Sequence, residues 1–321
     1  MVTTAAPLRG PGSLKLSRLM LGTAQLGITG YGIANGSGPA DADALLDRCA
    51  ALGINCFDTA LEYGDAELKL GRYFASKPVP FIVSKLKAEP LLDRAELEKR
   101  IAGRVETILE RLGLSTLPAL MIHDPAVLLE YGASVADILR RLRRDGLIGR
   151  AGLSFGANSD EQFAYCGELI RDDIYEVFQL PLNVLDRRSI DGGALGQLRA
   201  DGKWVVARSV FLQGLLLRSA DGLAEPLAGL ARDALARLTA IADEEGMSVA
   251  ELAMGYVRDT PGVDALVIGA EKPEQLDDNV RLLAGPAVSE RARARIESEF
   301  RRVPELLVTP ALWVRANATN L

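Results

Sequence analysis

The chain has 321 residues, 48% hydrophobic and 25% charged, which is typical of a globular protein and excludes disordered and collagen-like classes. Its 37 Lys and Arg against 43 Asp and Glu give a formal net charge of −6, so nothing favours binding to duplex nucleic acid. The three cysteines, Cys49, Cys56 and Cys166, form no C-x-x-C pair, so we expect a reducing cytoplasmic location, no disulfide framework and no metal site.

No segment has the apolar length needed to cross a membrane. No run reaches about 18 consecutive apolar residues, and Met1 to Ser17 lacks the continuous apolar core of a signal peptide. We therefore predict a protein that is neither exported nor membrane-spanning. The sequons at Asn35 and Asn317 are then chance matches, because glycosylation requires secretion.

Short apolar strings alternate with segments of helical spacing along the chain. Strings such as Phe81-Ile82-Val83 lack polar alternation, which favours parallel strands buried on both faces. A strand and a helix repeated eight times predict a (β/α)8 TIM barrel, with a doubly wound sheet as the alternative. The predicted strands are Leu19–Gly22, Ile54–Asp58, Phe81–Lys85, Ala119–His123, Ala151–Ser154, Glu176–Leu180, Trp204–Arg208 and Ala265–Gly269.

Capping residues mark the starts of several helices. Asp41 and Asp93 each precede an apolar stripe of helical spacing and are expected N-caps. The segment from Glu225 to Asp259 is too long for one helix and is interrupted at Gly246-Met247-Ser248, so it predicts two helices.

The C-terminal part extends beyond the eighth unit. Ser289 to Arg302 predicts an additional helix, and Pro304 to Leu321 an irregular tail. Because no Pro-rich or Gly/Ser-rich linker divides the chain, we expect a single barrel domain over residues 1–321.

One motif suggests a different chemistry. Gly152 to Gly156 matches the G-x-S-x-G pattern of serine hydrolases. In that fold the histidine follows the serine, whereas His123, the only histidine here, precedes Ser154. We interpret the motif as a strand end bounded by glycines.

Ionisable side chains close three consecutive predicted strands. Asp58, Lys85 and His123 end the second, third and fourth strands, and Tyr63 follows Asp58 by five residues. Because the active site of such a barrel lies at the C-terminal ends of its strands, we expect these four side chains to lie together.

These residue types suit proton transfer to a carbonyl. A tyrosine phenol can donate the proton, and a nearby ammonium lowers its pKa, so we expect Lys85 to activate Tyr63. Asp58 would pair with Lys85, and His123 would donate a hydrogen bond to the substrate oxygen. Because no side chain supplies hydride, a bound cofactor must, and the set predicts carbonyl reduction or the reverse oxidation of an alcohol.

At these positions the chain resembles the aldo-keto reductase family. Phe57 to Gly64 is similar to the D-T-A-x-x-Y-G signature of that family, and Lys85 and His123 to its strand-end lysine and histidine. The likeness extends from Leu21 to Val280. It implies a (β/α)8 barrel, usually with NADP as cofactor, and small-molecule aldehyde, ketone or sugar substrates.

The resemblance also implies a set of cofactor-binding residues. Lys272 suits the 2′-phosphate of NADP and Glu271 the 2′-hydroxyl of NAD; we favour NADP and leave NAD open. Phe155 stands where many members of the family have Asn. The implied residues are Gly22, Thr23, Asp58, Ser154, Gln179, Arg208, Ser209, Phe211, Gly269, Lys272, Gln275 and Asn279.

Substrate specificity should depend on loops over the rim. These are Gln25 to Gly38, Asp124 to Ser134, and the tail with Trp313, a residue that fits either a substrate contact or a helix cap. Two other functions stay open: a nucleotide-sensing barrel subunit, and an enzyme in which Lys85 forms a Schiff base. No pattern in the sequence indicates an oligomeric state.

Overall fold

A closed barrel of eight parallel strands forms the centre of the protein. The computed structural model describes residues 15–30, 41–88, 93–221 and 223–313. Each strand pairs with the next, and β8 pairs with β1, so the predicted barrel is confirmed and the open doubly wound sheet is excluded. The strands are β1 (Leu19–Gly22), β2 (Cys56–Asp58), β3 (Phe81–Leu86), β4 (Leu117–Ile122), β5 (Ile148–Ser154), β6 (Tyr175–Pro181), β7 (Trp204–Arg208) and β8 (Ala265–Gly269).

Helices connect the strands and follow the last one. Short 3-10 helices lie at Pro125–Val127, Leu169–Arg171 and Leu212–Leu217. The α-helices of the described residues are α1 (Ala24–Gly27), α2 (Ala42–Leu52), α3 (Ala66–Phe74), α4 (Arg94–Leu112), α5 (Leu128–Arg144), α6 (Ser159–Cys166), α7 (Arg188–Asp191), α8 (Ala194–Ala200), α9 (Leu227–Glu244), α10 (Val249–Arg258), α11 (Pro273–Leu283), α12 (Glu290–Glu299) and α13 (Glu305–Val308).

The predicted helix starts agree with the structure. The side chains of Asp41 and Asp93 accept hydrogen bonds from backbone N–H groups in the first turns of α2 and α4. The break at Gly246 separates α9 from α10, and Ser289 caps the additional helix α12. Each cap satisfies a backbone donor that the helix itself cannot.

The tail is more ordered than its sequence suggested. It contains α13 and a further helical stretch at 310–313, so the prediction of an irregular segment is wrong there. The indole N–H of Trp313 donates to the carbonyl oxygen of Leu306 at 2.7 Å, and the side chain is buried. Trp313 therefore caps α13.

Within the described residues, no helix combines the length and apolarity needed to span a membrane.

Alternate strand residues fill the barrel interior. The rings of Phe81 and Trp204 meet edge to face there, with centroids 5.6 Å apart. Because successive strand side chains point to opposite faces, Lys85 lies on the same inward face as Val83, two residues before it. The same step of two relates Asp58 to Cys56, His123 to Met121, Gln179 to Val177 and Arg208 to Val206.

Two glycines bring the loop after β2 against α1. Gly64 has a φ of 56°, in the left-handed region that favours glycine. A Cβ on Gly64 would lie 2.3 Å from the carbonyl oxygen of Gly27, and one on Gly27 would lie 1.8 Å from the carbonyl oxygen of Tyr63. The two backbones are in direct contact, which fixes the position of Tyr63.

A buried carboxyl group lies between α3 and the outer face of β3. Glu67 is 1% exposed and accepts a hydrogen bond from Ser84 Oγ at 2.6 Å, while Arg111 Nη1 lies 3.6 Å from its second oxygen. Burial raises the pKa of Glu67 from 4.5 to about 7, and Ser84 and Arg111 offset only part of that effect. Between pH 4.5 and about pH 7, Glu67 therefore takes up a proton when the protein folds.

We predict that Gly27→Ala destabilises the protein, because one of the two touching backbones must move. The expected loss is about 1–3 kcal/mol of unfolding free energy in urea. Gly103→Ala in α4 is the matched control, since a Cβ there meets nothing within 4 Å; it should gain about 0.5–1 kcal/mol. Equal effects of the two substitutions would contradict the close approach.

A second prediction concerns the pH dependence of stability. The contribution of protonated Glu67 is fully present below pH 4.5 and is lost as the pH rises through about 7. Glu67→Gln removes this titration. The unfolding free energy of the variant relative to that of the wild type should therefore increase by about 2 kcal/mol from pH 5 to pH 8. Urea unfolding at both pH values measures this, and parallel curves would show that Glu67 does not titrate there.

Candidate active site

A buried ion pair lies at the C-terminal rim of the barrel. Lys85 Nζ is 2.7 Å from Asp58 Oδ1 and also donates to the carbonyl oxygen of Thr59 at 2.9 Å. Lys85 is 0% and Asp58 3% exposed. Charges removed from water to this extent require close pairing and further hydrogen bonds, and both are present.

Two more residues extend this pair into a chain of hydrogen bonds. Gln179 Nε2 donates to Asp58 Oδ1 at 2.6 Å, and Ser154 Oγ donates to Gln179 Oε1 at 3.4 Å. Ser154 and Gln179 are register partners on β5 and β6. Phe155 is buried and stacks on Phe178, with ring centroids 6.3 Å apart, so its side chain belongs to the core.

Tyr63 lies beside the ion pair. Lys85 Nζ is 5.2 Å from the centroid of its ring. Burial and the negative charge of Asp58 raise the pKa of Tyr63, so the sequence-based expectation of a lowered pKa is wrong. The physical reason is that burial disfavours the charged phenolate, and the negative charges of Asp58 and Glu62 add to this effect. The phenol consequently keeps its proton at neutral pH.

His123 completes the group of four predicted residues and has an unpredicted partner. Its ring meets that of Tyr63 edge to face at 6.1 Å, and its Nδ1 is 3.1 Å from Glu62 Oε2. Although burial opposes it, hydrogen bonds from His123 and the N–H of Lys87 lower the pKa of Glu62. Glu62 is therefore an ionised neighbour of His123. In the sequence, only the position of Glu62 next to Tyr63 indicated that Glu62 lies near His123.

A cleft starts beside Tyr63 and crosses the ends of β7, β8 and β1. It continues over Phe211 and Gln275 to a second part between α10 and α11. Most of the residues implied by the family resemblance line it: Gly22, Asp58, Arg208, Ser209, Phe211, Gly269, Gln275 and Asn279.

Four of the implied residues are not in that lining. The hydroxyl group of Thr23 donates to the carbonyl oxygen of Asp58 at 3.0 Å, while Ser154 and Gln179 are buried in the hydrogen-bonded chain. Lys272 is exposed at the start of α11. Gln275 Oε1 accepts the N–H groups of Glu271 and Lys272 at 2.7 and 3.1 Å.

The loop after β7 places the predicted Ser209 in the wall of the cleft and adds Gln213 and Gly214, which the sequence did not predict. Ser209, Leu212 and Gln213 have φ values of 64°, 47° and 51°, which is unfavourable for residues with a Cβ. Ser209 and Gln213 line the cleft, together with Gly214 at φ 91°. Such backbone strain is typical of functional sites.

Comparison with known sequences identifies relatives across most of the chain. The model of the aldo/keto reductase family matches residues 18–298. An uncharacterized oxidoreductase of Mycobacterium tuberculosis is 27% identical, covering 83% of this chain and 84% of the relative. D-threo-aldose 1-dehydrogenase of a Pseudomonas species is 26% identical, with 79% and 88% covered. L-glyceraldehyde 3-phosphate reductase of Escherichia coli is 25% identical, with 80% and 83% covered.

Solved structures show the same architecture. The glycerol dehydrogenase of Gluconobacter oxydans superposes with a TM-score of 0.71 at 26% identity, covering 95% of this chain and 96% of that one. The holo form of an aldo-keto reductase from Bacillus halodurans, at 19% identity, shares the fold with a TM-score of 0.70 over 96% and 100%. Since the family model spans nearly the whole barrel and the three relatives above are named as an oxidoreductase, a dehydrogenase and a reductase, this chain is an oxidoreductase that belongs to the aldo/keto reductase family.

Proposed function

We propose that the protein transfers hydride between a nicotinamide dinucleotide and the carbonyl or alcohol carbon of a small molecule. Tyr63 is the proposed proton donor or acceptor, assisted by Lys85, Asp58 and His123. The observation that carries the proposal is the position of the Tyr63 phenol, which lines the cleft and lies over the buried Lys85–Asp58 pair.

The shape and lining of the cleft support an extended dinucleotide. The cleft leads from Tyr63 past Phe211 to Asn279, where α11 borders it. At Gly269 a Cβ would lie 2.2 Å from the side-chain nitrogen of Gln25, so glycine allows the Gln25 amide to lie against the end of β8, and both residues line the cleft. When bound, the cofactor supplies or takes up the hydride that no side chain can provide.

The environment of Tyr63 suits proton transfer in either direction. In reduction, the protonated phenol donates to the carbonyl oxygen as it gains negative charge. The ammonium of Lys85 then stabilises the phenolate that remains, because Asp58 and the carbonyl of Thr59 hold it in place. In oxidation the phenol must first lose its own proton, and the phenolate then takes up the proton of the alcohol.

Ser154 and Gln179 are proposed contacts of the nicotinamide carboxamide. Their side chains already bind each other, and Gln179 also binds Asp58. This arrangement links the cofactor pocket to the proton-transfer pair through one shared carboxylate. Phe155, in place of the usual Asn, contributes core packing instead of a third polar contact.

The charges of the cleft favour the cofactor without a 2′-phosphate. The sequence-based preference for NADP depended on Lys272, which does not line the cleft, whereas Glu271 does. In the distal part Arg281 is ion-paired with Asp278, and Glu251 adds another carboxylate. An acidic side chain near the ribose repels a phosphate and can accept a hydrogen bond from a hydroxyl group. We therefore propose NAD as the preferred form.

The two alternative functions have less support. A Schiff-base lysine must be reachable and neutral, whereas Lys85 is fully buried and paired with Asp58. A nucleotide-sensing subunit would need no proton donor in the cleft.

We also propose that the chain acts as one barrel domain, in keeping with the family match over 18–298, and that its free, buried cysteines fit a cytoplasmic location.

The proton-transfer role predicts the effect of Tyr63→Phe. Turnover should fall by about 10²–10⁴-fold because the acidic proton is lost, while the Kd of the reduced cofactor stays within about twofold. Aldehydes, ketones and sugars are assayed in both directions by nicotinamide absorbance, and cofactor binding by fluorescence titration. Tyr73→Phe is the matched control, since that hydroxyl group binds Asp47 on the outside of the protein.

Two results would revise this assignment. Normal turnover by Tyr63→Phe would exclude the proton-transfer role. A wild-type protein that binds cofactor but turns over none of the compounds would favour the nucleotide-sensing function.

A separate prediction concerns the choice of cofactor. NADH should bind at least about tenfold more tightly than NADPH, a difference of about 1.4 kcal/mol. Glu271→Gln should reduce this ratio because it removes the repelling charge, and Lys272→Ala should leave it nearly constant. Fluorescence titration measures both constants, and tighter binding of NADPH by the wild type would refute the assignment.

A further inference from the structure

Arg208 brings a positive charge to the inner end of the cleft. Its side chain, at the end of β7, is half-buried and lines the cleft together with Tyr63 and Asp58. Two hydrogen bonds hold the guanidinium: Nη2 donates to the carbonyl oxygen of Phe155 at 2.8 Å, and Nη1 donates to Ser209 Oγ at 3.2 Å. Both acceptors are uncharged, so they fix the direction of the side chain without neutralising it.

The charge of Arg208 has no carboxylate partner among the residues that the structure describes. Asp58 is paired with Lys85, and no ion pair joins Glu271, the other carboxylate of this part of the cleft, to Arg208. Burial and Asp58 raise the pKa of Tyr63, and the charge of Arg208 opposes them. A charge that acts on the phenol also acts on atoms that react beside it.

The guanidinium is also next to the proposed contacts of the nicotinamide carboxamide, Ser154 and Gln179. Phe155, whose carbonyl group binds Arg208, directly follows Ser154, and its N–H donates to the carbonyl oxygen of Gln179 at 2.9 Å. The nicotinamide ring is positively charged in the oxidised cofactor and neutral in the reduced one. A neighbouring cation therefore disfavours the oxidised form relative to the reduced form.

We propose that the charge of Arg208 shifts the hydride equilibrium on the protein toward the reduced cofactor, so that the site favours oxidation of an alcohol. In that direction the C–H bond of the alcohol carbon breaks, and its hydride forms a C–H bond on the oxidised ring. The hydroxyl proton goes to the ionised oxygen of Tyr63. The proposal rests on the proposed function and adds a direction to it, whereas the family resemblance implies only that Arg208 contacts the cofactor.

The ratio of two binding constants isolates the effect of the charge. NAD⁺ and NADH carry the same adenine, riboses and pyrophosphate, so contacts of Arg208 with those groups cancel when the Kd of NAD⁺ is divided by that of NADH. Arg208→Met should lower this ratio about tenfold, and Arg208→Lys, which keeps the charge, should leave it within about twofold. Isothermal titration calorimetry measures both constants. Arg291→Met, which removes an exposed charge from α12, is the matched control.

The binding constants also set the balance between the two reaction directions. At saturating cofactor, the kcat/KM for the alcohol divided by that for the carbonyl compound should fall in Arg208→Met by the same factor as the Kd ratio, because the equilibrium in solution is unchanged. If Arg208→Met does not fold, Arg208→Gln removes the same charge, keeps an amide donor and carries the same expectations.

Several results would overturn the proposal. Equal changes in both binding constants would show that Arg208 binds only the part that NAD⁺ and NADH share, and an equal fall of the ratio in Arg208→Lys would show that shape matters and charge does not. A wild-type protein that binds both forms but turns over no substrate would contradict the proposed function, while the Kd ratio still decides the role of Arg208. Binding of neither form would refute both.

Discussion

The buried pair of Lys85 and Asp58 is the constraint on which the arrangement of the rim depends. An ammonium that is 0% exposed needs a compensating charge and further acceptors, and Asp58 and the carbonyl of Thr59 provide them. Asp58 also binds Gln179, so the ends of β2, β3 and β6 are tied together by one carboxylate. Burial and the negative charge of the same carboxylate raise the pKa of the neighbouring Tyr63 phenol.

Side chains alternate between the inside and the outside of the barrel along each strand, and this alternation places both the core residues and the site residues. Inward positions are apolar in the lower barrel, as at Phe81 and Val83, and polar where the strand ends, as at Lys85. Tyr63 lies on a loop outside this alternation, and its position comes from the backbone contact of Gly27 and Gly64. The rigid barrel thus positions the charged pair, and the glycine contact positions Tyr63, the proposed proton donor.

Loops and helix starts give the cleft its individual chemistry. Glu62, one residue before the phenol, binds His123, and Glu271 lies in the cleft lining near α11. Both are carboxylates at positions next to residues implied by the family resemblance. A change at either position alters the charge of the rim without changing the strands, since loops tolerate substitutions that a packed core does not.

The sequence alone determined the eight strands, the caps at Asp41 and Asp93 and the four rim residues, because periodicity, capping and strand-end position are local properties. Only the tertiary structure decided the rest. The contact of Glu62 with His123 joins residues far apart in the chain, and the raised pKa of Tyr63 depends first on burial by the surrounding fold. Which of Glu271 and Lys272 lines the cleft depends on how α11 packs, because distances between remote residues are set by the fold and have no local pattern.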